Sequence, residues 1–300
     1  MPGPEPVVEY DELGLFHENA AEWGLPYDGP PEVRRTAVTV TGDRAMSALV
    51  WGSAPAELVL VHGGAQNAHT WDTVAMALHL PLVAVDLPGH GHSDGPRSES
   101  ATAYDHAEDV ADAITELAPD ARAVVGMSLG GLTSLALAQR HPQLVRRLAL
   151  VDVTPGVTPS KGAAITAFIN GPATFPSFDA LLARTIEHNP TRSESSLRRG
   201  ILHNAVQQPD GSWVWRWARF PRRERPGPEL FATLWDAVSE LTMPLMLVRG
   251  TRDGSVVDDD DVAELLRRQP AARVEPVDAG HSVQGDAPLE LAALIASFLE

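Results

Sequence analysis

One stretch constrains this chain more than any other: Val124-Val125-Gly126-Met127-Ser128-Leu129-Gly130-Gly131. Ahead of it, Ala121 to Val125 is a compact apolar run of strand length. Behind it, Leu129, Leu132, Leu135 and Ala136 recur at helical spacing. A strand that runs straight into a helix must reverse within about two residues, which strains the backbone at the bend. Gly126 and Gly130 leave room for that close approach. The bend pushes the Ser128 hydroxyl into the open at the end of the strand, beside helix N-terminal amides that favour negative charge. A bare G-x-S-x-G is a weak signal. With a strand before it and a helix after it, the signal is specific.

The surrounding chain repeats this strand–helix alternation. Thr36 to Val40 and Ala45 to Trp51 are β-prone runs separated by Gly42-Asp43, a hairpin pattern. Glu57 to Val61 and Leu82 to Val85 are strands with a helical stretch, about Trp71 to His79, between them. Tyr104 to Leu117 is a helix, and Leu144 to Val153 a buried strand. From about residue 154 to 228 the pattern breaks into Pro- and Gly-punctuated segments, with helical patches at Phe178 to His188 and Glu194 to Val206. It then resumes with Leu230 to Ser239 and Val262 to Arg268 as helices, Pro244 to Gly250 and Arg273 to Val277 as strands, and a final amphipathic helix over Pro288 to Leu299. The class is therefore α/β, a mostly parallel sheet with helices on both faces. Three parts are expected: an N-terminal arm (1–34), a core (35–153 and 229–300) and an inserted cap (154–228).

Composition narrows the partners. A net charge of −17 argues against nucleic acid and against an anionic membrane surface, which would each need a basic face. The chain has no cysteine, hence no thiol nucleophile, disulfide framework or cysteine metal site. No stretch approaches the roughly 18 apolar residues of a membrane span, and the N-terminus lacks a basic region followed by an apolar run. The expectation is a cytoplasmic protein whose partner is a small molecule.

A serine hydroxyl needs a base to become a nucleophile at neutral pH, and the base needs an acid to hold its tautomer. Two C-terminal loops supply them: Gly250-Thr251-Arg252-Asp253 follows one strand and Ala279-Gly280-His281-Ser282 follows the last. Both loops lie at the carboxyl edge of the sheet, where such sites gather. The expected set is Ser128, His281 and Asp253, with Asp152, just past its own strand, as the alternative acid. For the oxyanion, the Leu129 amide is one expected donor. The second comes from His62-Gly63-Gly64, by the amide of Gly64 or of Ala65.

These motifs, together with Trp71 and Asp86-Leu87-Pro88-Gly89-His90-Gly91-His92-Ser93, occur in an order that resembles the α/β-hydrolase superfamily, in its serine-esterase-like branch with an inserted cap. The resemblance covers roughly 36–153 and 229–300. It implies an eight-stranded sheet, a lid after the sixth strand, and acyl-enzyme chemistry without a cofactor on a small carboxylic ester, thioester or lactone. Rival readings are carbon–carbon bond hydrolysis or cofactor-free perhydrolysis by the same triad, and a small-molecule receptor that retains the triad. Ser128 at the bend does not suit a haloalkane dehalogenase or epoxide hydrolase, which would place Asp there.

Other features have plainer readings. Asp258 to Asp261 suit the first turn of a helix better than a metal site. His90-Gly91-His92-Ser93-Asp94 superficially resembles H-x-H-x-D of binuclear metallohydrolases, but Gly95 stands where a further histidine belongs, so no metal is expected. Trp213, Trp215 and Trp217 alternate and share a face if extended, either walling a substrate pocket or fixing the cap to the core. Arg216, Arg219, Arg222, Arg223 and Arg225 read as a solvated cap-to-core joint.

Overall fold

The computed structural model describes residues 8–218 and 228–300. Helix α1 (Phe16–Trp23) precedes the hairpin β1 (Val33–Val40) and β2 (Arg44–Trp51), which turns through Gly42 and Asp43, both at positive φ. Then come β3 (Leu58–Val61), α2 (Asp72–Leu78), β4 (Leu82–Val85), α3 (Ala103–Leu117), β5 (Ala123–Met127), α4 (Leu129–Arg140) and β6 (Leu148–Val151). An insertion follows, with α5 (Ala163–Ile169), β7 (Thr174–Phe175), α6 (Phe178–His188), α7 (Glu194–Asn204), β8 (Ala205–Gln207) and β9 (Trp213–Trp215). The chain closes with α8 (Pro228–Glu240), β10 (Leu245–Gly250), α9 (Asp259–Arg268), β11 (Arg273–Val277), α10 (Val283–Asp286) and α11 (Pro288–Leu299).

The main sheet has eight strands in the order β1-β2-β4-β3-β5-β6-β10-β11. Only β2 runs against the others; every pairing from β4 onward is parallel. Burial on both faces makes its central strands apolar throughout. In β3, Val59 and Val61 face a layer of α3, α4, α8 and α9, while Leu58 and Leu60 face α2, α11 and α1. The N-terminal segment is thus packed into the molecule. Phe16 is 2% exposed and meets Trp51 edge-on at 5.1 Å, and Asn19 donates to Thr73 Oγ1 at 2.9 Å.

The insertion departs from the helical cap expected. It also holds a three-stranded antiparallel sheet, β7-β9-β8. Residues 205–206, read as the end of a helix, begin a hairpin. The reason is local: Pro209-Asp210-Gly211, with Gly211 at φ 87° and Gln208 N–H bonded to Ser212 O at 2.7 Å, turns β8 back onto β9. Phe175, Leu181, Ile201, Leu202, Ala205 and Trp213 form its own small core, against which Tyr10 and Leu15 of the N-terminal segment pack. Of the arginine group named above, Arg219, Arg222, Arg223 and Arg225 lie outside the described residues. Among the described residues no helix is long and apolar enough to cross a membrane.

Candidate active site

Ser128 stands at the junction of β5 and α4 with φ 50° and ψ −119°. This region is costly for a residue bearing a Cβ, so packing must enforce it. The enforcement is visible in the neighbouring glycines. A Cβ on Gly126 would lie 2.4 Å from Gly130 O, and one on Gly130 would lie 2.3 Å from Val61 O. The hydroxyl does not cap its helix. The Leu129 amide is the first of α4 and has no acceptor within the helix.

His281 follows β11, on a loop fixed by Gly280 N–H donating to Asp286 Oδ2 at 2.9 Å. Its Nδ1 lies 2.8 Å from Asp152 Oδ2. Asp152 is fully buried, one residue past β6, and accepts three further hydrogen bonds: from Gly250 N–H at 2.9 Å, Ser255 Oγ at 2.6 Å and Val256 N–H at 3.1 Å. An acceptor-only carboxylate thus forces the proton onto His281 Nδ1 and leaves Nε2 as the basic atom. Among the described residues no Ser128–His281 hydrogen bond is made.

The acid facing His281 is therefore Asp152, and the expectation of Asp253 is corrected. After β10 the chain reverses at Arg252–Ser255, with Ser255 N–H bonded to Arg252 O at 3.2 Å and Gly254 at φ 93°. That reversal leaves Asp253 exposed and turns Ser255 and Val256 inward onto Asp152. Strand order explains the rest: β6 is the immediate neighbour of β5, so Asp152 sits one strand from Ser128. Ser255 carries no signal in the sequence.

The loop after β3 lies against this bend. A Cβ on Gly63 would come 3.1 Å from Ser128 Cβ, and one on Gly64 would be 4.0 Å from Leu129 Cδ2. Ala65 N–H is already donated to His90 Nε2 at 3.1 Å, which leaves the Gly64 amide, not that of Ala65, as the available donor. His62 is fully buried. Its Nε2 accepts Leu87 N–H at 2.9 Å, so Nδ1 carries the proton and donates to Gly63 O at 2.7 Å. Burial, reinforced by nearby His90, pushes the His62 pKa down to about 3. Asp86 ties both loops together by accepting Ala68 N–H at 2.7 Å, His92 N–H at 3.1 Å and an Arg35 N–H at 2.7 Å. Burial alone would raise its pKa, but the Arg35 guanidinium holds it below the usual range.

The remaining residues singled out above fall elsewhere. Trp213, 3% exposed, packs edge-on to Phe178 in the core of the insertion. Trp215 meets Phe168, Phe175 and Trp217 at 5.7–6.0 Å. Next to Trp217, Ala218 N–H donates to Gly89 O at 2.7 Å, joining insertion to core. This packing favours the reading in which the tryptophans hold the insertion together. Asp258 caps α9 by accepting Asp261 N–H at 3.0 Å, and Lys161 pairs with both acids. His90, His92 and Asp94 do not converge: His90 bonds Pro88 O and Ala65 N–H, and Asp94 accepts Ala45 N–H at 2.7 Å.

A buried group not anticipated from sequence joins the N-terminal segment, core and insertion. His69 and His203 stack at 3.8 Å and 12°, Asp72 accepts from His69 Nδ1 at 2.9 Å, and Tyr10 Oη lies 2.6 Å from His203 Nδ1. The ligand atoms of His69, Asp72 and His203 lie within 4.8 Å of one another. The contacts that these groups make among themselves are hydrogen bonds, Tyr10 to His203 and His69 to Asp72. Burial opposes charge on His69, but Asp72 and Glu12 raise its pKa to about 9.

A family model for the alpha/beta hydrolase fold matches residues 57–288. The chain belongs to the alpha/beta-hydrolase family. Among family members it is 44% identical over 310 residues to Esterase Rv0045c of Mycobacterium tuberculosis, a match covering 100% of this chain and 99% of the relative. A solved structure of that M. tuberculosis esterase superposes with a TM-score of 0.85 at 42% identity, over 97% of this chain and 99% of the other. A more distant relative, 2-(acetamidomethylene)succinate hydrolase of Mesorhizobium japonicum, is 28% identical over 253 residues, covering 83% of this chain and 89% of the relative. The hydrolase fold thus extends over the whole alternating core, and the similarity to Rv0045c includes the insertion.

Proposed function

We propose that this alpha/beta hydrolase is a serine esterase that cleaves a small carboxylic ester, thioester or lactone through an acyl-enzyme on Ser128. The observation that carries the reading is His281 Nδ1 at 2.8 Å from the fully buried Asp152, on the sheet edge where the strained Ser128 is presented. The likeness to a named esterase along the full chain supports the same conclusion.

In this reading His281 Nε2 takes the Ser128 proton as Oγ attacks the substrate carbonyl. Asp152 stays ionised and stabilises the imidazolium. The amides of Leu129 and Gly64 donate to the oxyanion of the tetrahedral intermediate, and one such donor is worth roughly 3–4 kcal/mol. Collapse expels the alcohol or thiol with the proton from His281. Water, deprotonated by the same imidazole, then releases the acid and frees Ser128. The chain's own residues supply every proton transfer. Residues 154–228 act as the cap over a core of 35–153 and 229–300.

Replacing Ser128 by Ala is the test. Turnover of a short-chain p-nitrophenyl ester is expected to vanish while the thermal midpoint stays near that of the wild type. Wild-type-like turnover in this variant would refute the acyl-enzyme.

A further inference from the structure

The Gly64 amide is a useful donor only while its peptide plane is held, and the structure shows what holds it. Gly63 O accepts from His62 Nδ1 at 2.7 Å and from Gln66 N–H at 3.3 Å. Because the peptide is planar and trans, the Gly64 N–H points away from those two donors. The following residue, Ala65, has φ 60°, a left-handed conformation unfavourable for alanine. Its N–H is held by His90. Its carbonyl is held from outside the core, by Asn204 Nδ2 at 2.7 Å.

Asn204 is the last residue of α7, in the insertion. Its Oδ1 accepts from Asn67 Nδ2 at 3.2 Å, and Asn67 Nδ2 also donates to His203 O at 3.0 Å. Asn67 Oδ1 accepts His69 N–H at 3.0 Å. Every amide oxygen in this chain of contacts faces a donor and every amide nitrogen an acceptor, which fixes the orientation of both side chains. The backbone of Asn204 is also tied, its carbonyl accepting Arg216 N–H at 2.8 Å.

We infer that Asn204 is a positioning residue for the oxyanion donor: by holding the Ala65 carbonyl it keeps the loop in the strained form that presents the Gly64 N–H to the intermediate formed on Ser128. The inference rests on the esterase reading above. It links the insertion to the rate of the chemical step, beyond any part the insertion plays in enclosing substrate. Losing an oxyanion donor outright lowers kcat by about 10²–10³. Loosening one should cost less, about 10-fold.

The experiment compares wild type, Asn204→Ala, Asn204→Asp and the double variant Asn204→Ala with Ala65→Gly. Each is assayed for kcat and KM on a short-chain p-nitrophenyl ester, for thermal midpoint, and for affinity toward an alkyl trifluoromethyl ketone, whose adduct with a serine carries an oxyanion. Asn204→Ala is expected to lower kcat with little change in KM and to weaken the ketone in parallel. Asn204→Asp, which sets a carboxylate against the Ala65 carbonyl, should fall further. Glycine tolerates positive φ, so the double variant should regain part of the loss. Unchanged kcat in Asn204→Ala, ketone affinity that stays at the wild-type level, or no recovery in the double variant would each overturn the inference. A wild type that neither hydrolyses the ester nor binds the ketone would instead overturn the esterase reading, and the inference with it.

Discussion

Asp152 and Asp253 both follow a strand at the same sheet edge, yet their surroundings are opposite. Asp152 is buried beneath four donors, one of them His281, whereas Asp253 stands in solvent at the turn of its loop. An amide in place of the Asp152 carboxylate can donate to His281 and so stabilise the wrong tautomer. Asp152→Asn should lower kcat roughly 10³–10⁴-fold. Asp253→Asn, an exposed change, should stay within about twofold. Steady-state turnover of one ester by both variants checks this, and the reverse ranking would return the acid to Asp253. The placement of Ser128, His281, Leu129 and Gly64 is legible in the sequence because each is tied to a local requirement: a bend, a strand end, a helix start, a glycine loop. The choice of acid is not, because it depends on the direction in which residues 252–255 fold back.

Among elements, those whose burial pattern is decided locally could be read from sequence. The runs Leu82 to Val85 and Arg273 to Val277 are the strands β4 and β11, and Pro288 to Leu299 is α11. Their edges are set by caps, prolines and turns that sit within a few residues. The bend at Ser128 is legible for the same reason. The insertion is different. Its helix α6 shows clear amphipathic spacing, but a helical reading of residues 194–206 overran the start of the β8–β9 hairpin, although the turn signal Pro209-Asp210-Gly211 stands just beyond it. Nothing local marks Asn204, since its partner Ala65 is 139 positions away. The N-terminal arm read over 1–34 contains the helix α1, whose buried residues Phe16 and Ala20 are covered by surfaces from β2 and α2, distant in sequence.

Across the whole molecule the buried histidines couple folding to pH. The pKa values of His62 and His106 are depressed from 6.5 to about 3 and about 4, in both cases by burial first, and that of His203 lies well below its usual value for the same reason. An unfolded chain takes up these protons below pH 6.5 while the folded one refuses them. Their contribution to stability is therefore complete above pH 6.5 and is lost progressively as pH falls below it, toward about 4 for His106 and about 3 for His62. His69 works in the other direction: its contribution is complete below 6.5 and fades as pH rises through about 9. Urea midpoints should thus decline steadily from pH 7 to 5, and a flat or rising series would contradict the assignment of neutral buried imidazoles. Among them His62 also braces the loop beside the bend, through Gly63 O, so the stability of the fold and the geometry of the site share that contact. Treating the intact protein with a fluorophosphonate and mapping the adduct by mass shows whether this site forms a covalent bond through one serine. One phosphonate per chain is expected, on the peptide containing Ser128 and absent from Ser128→Ala; an adduct on another residue, or a folded and active protein that takes up no label, would rule out Ser128 as the nucleophile.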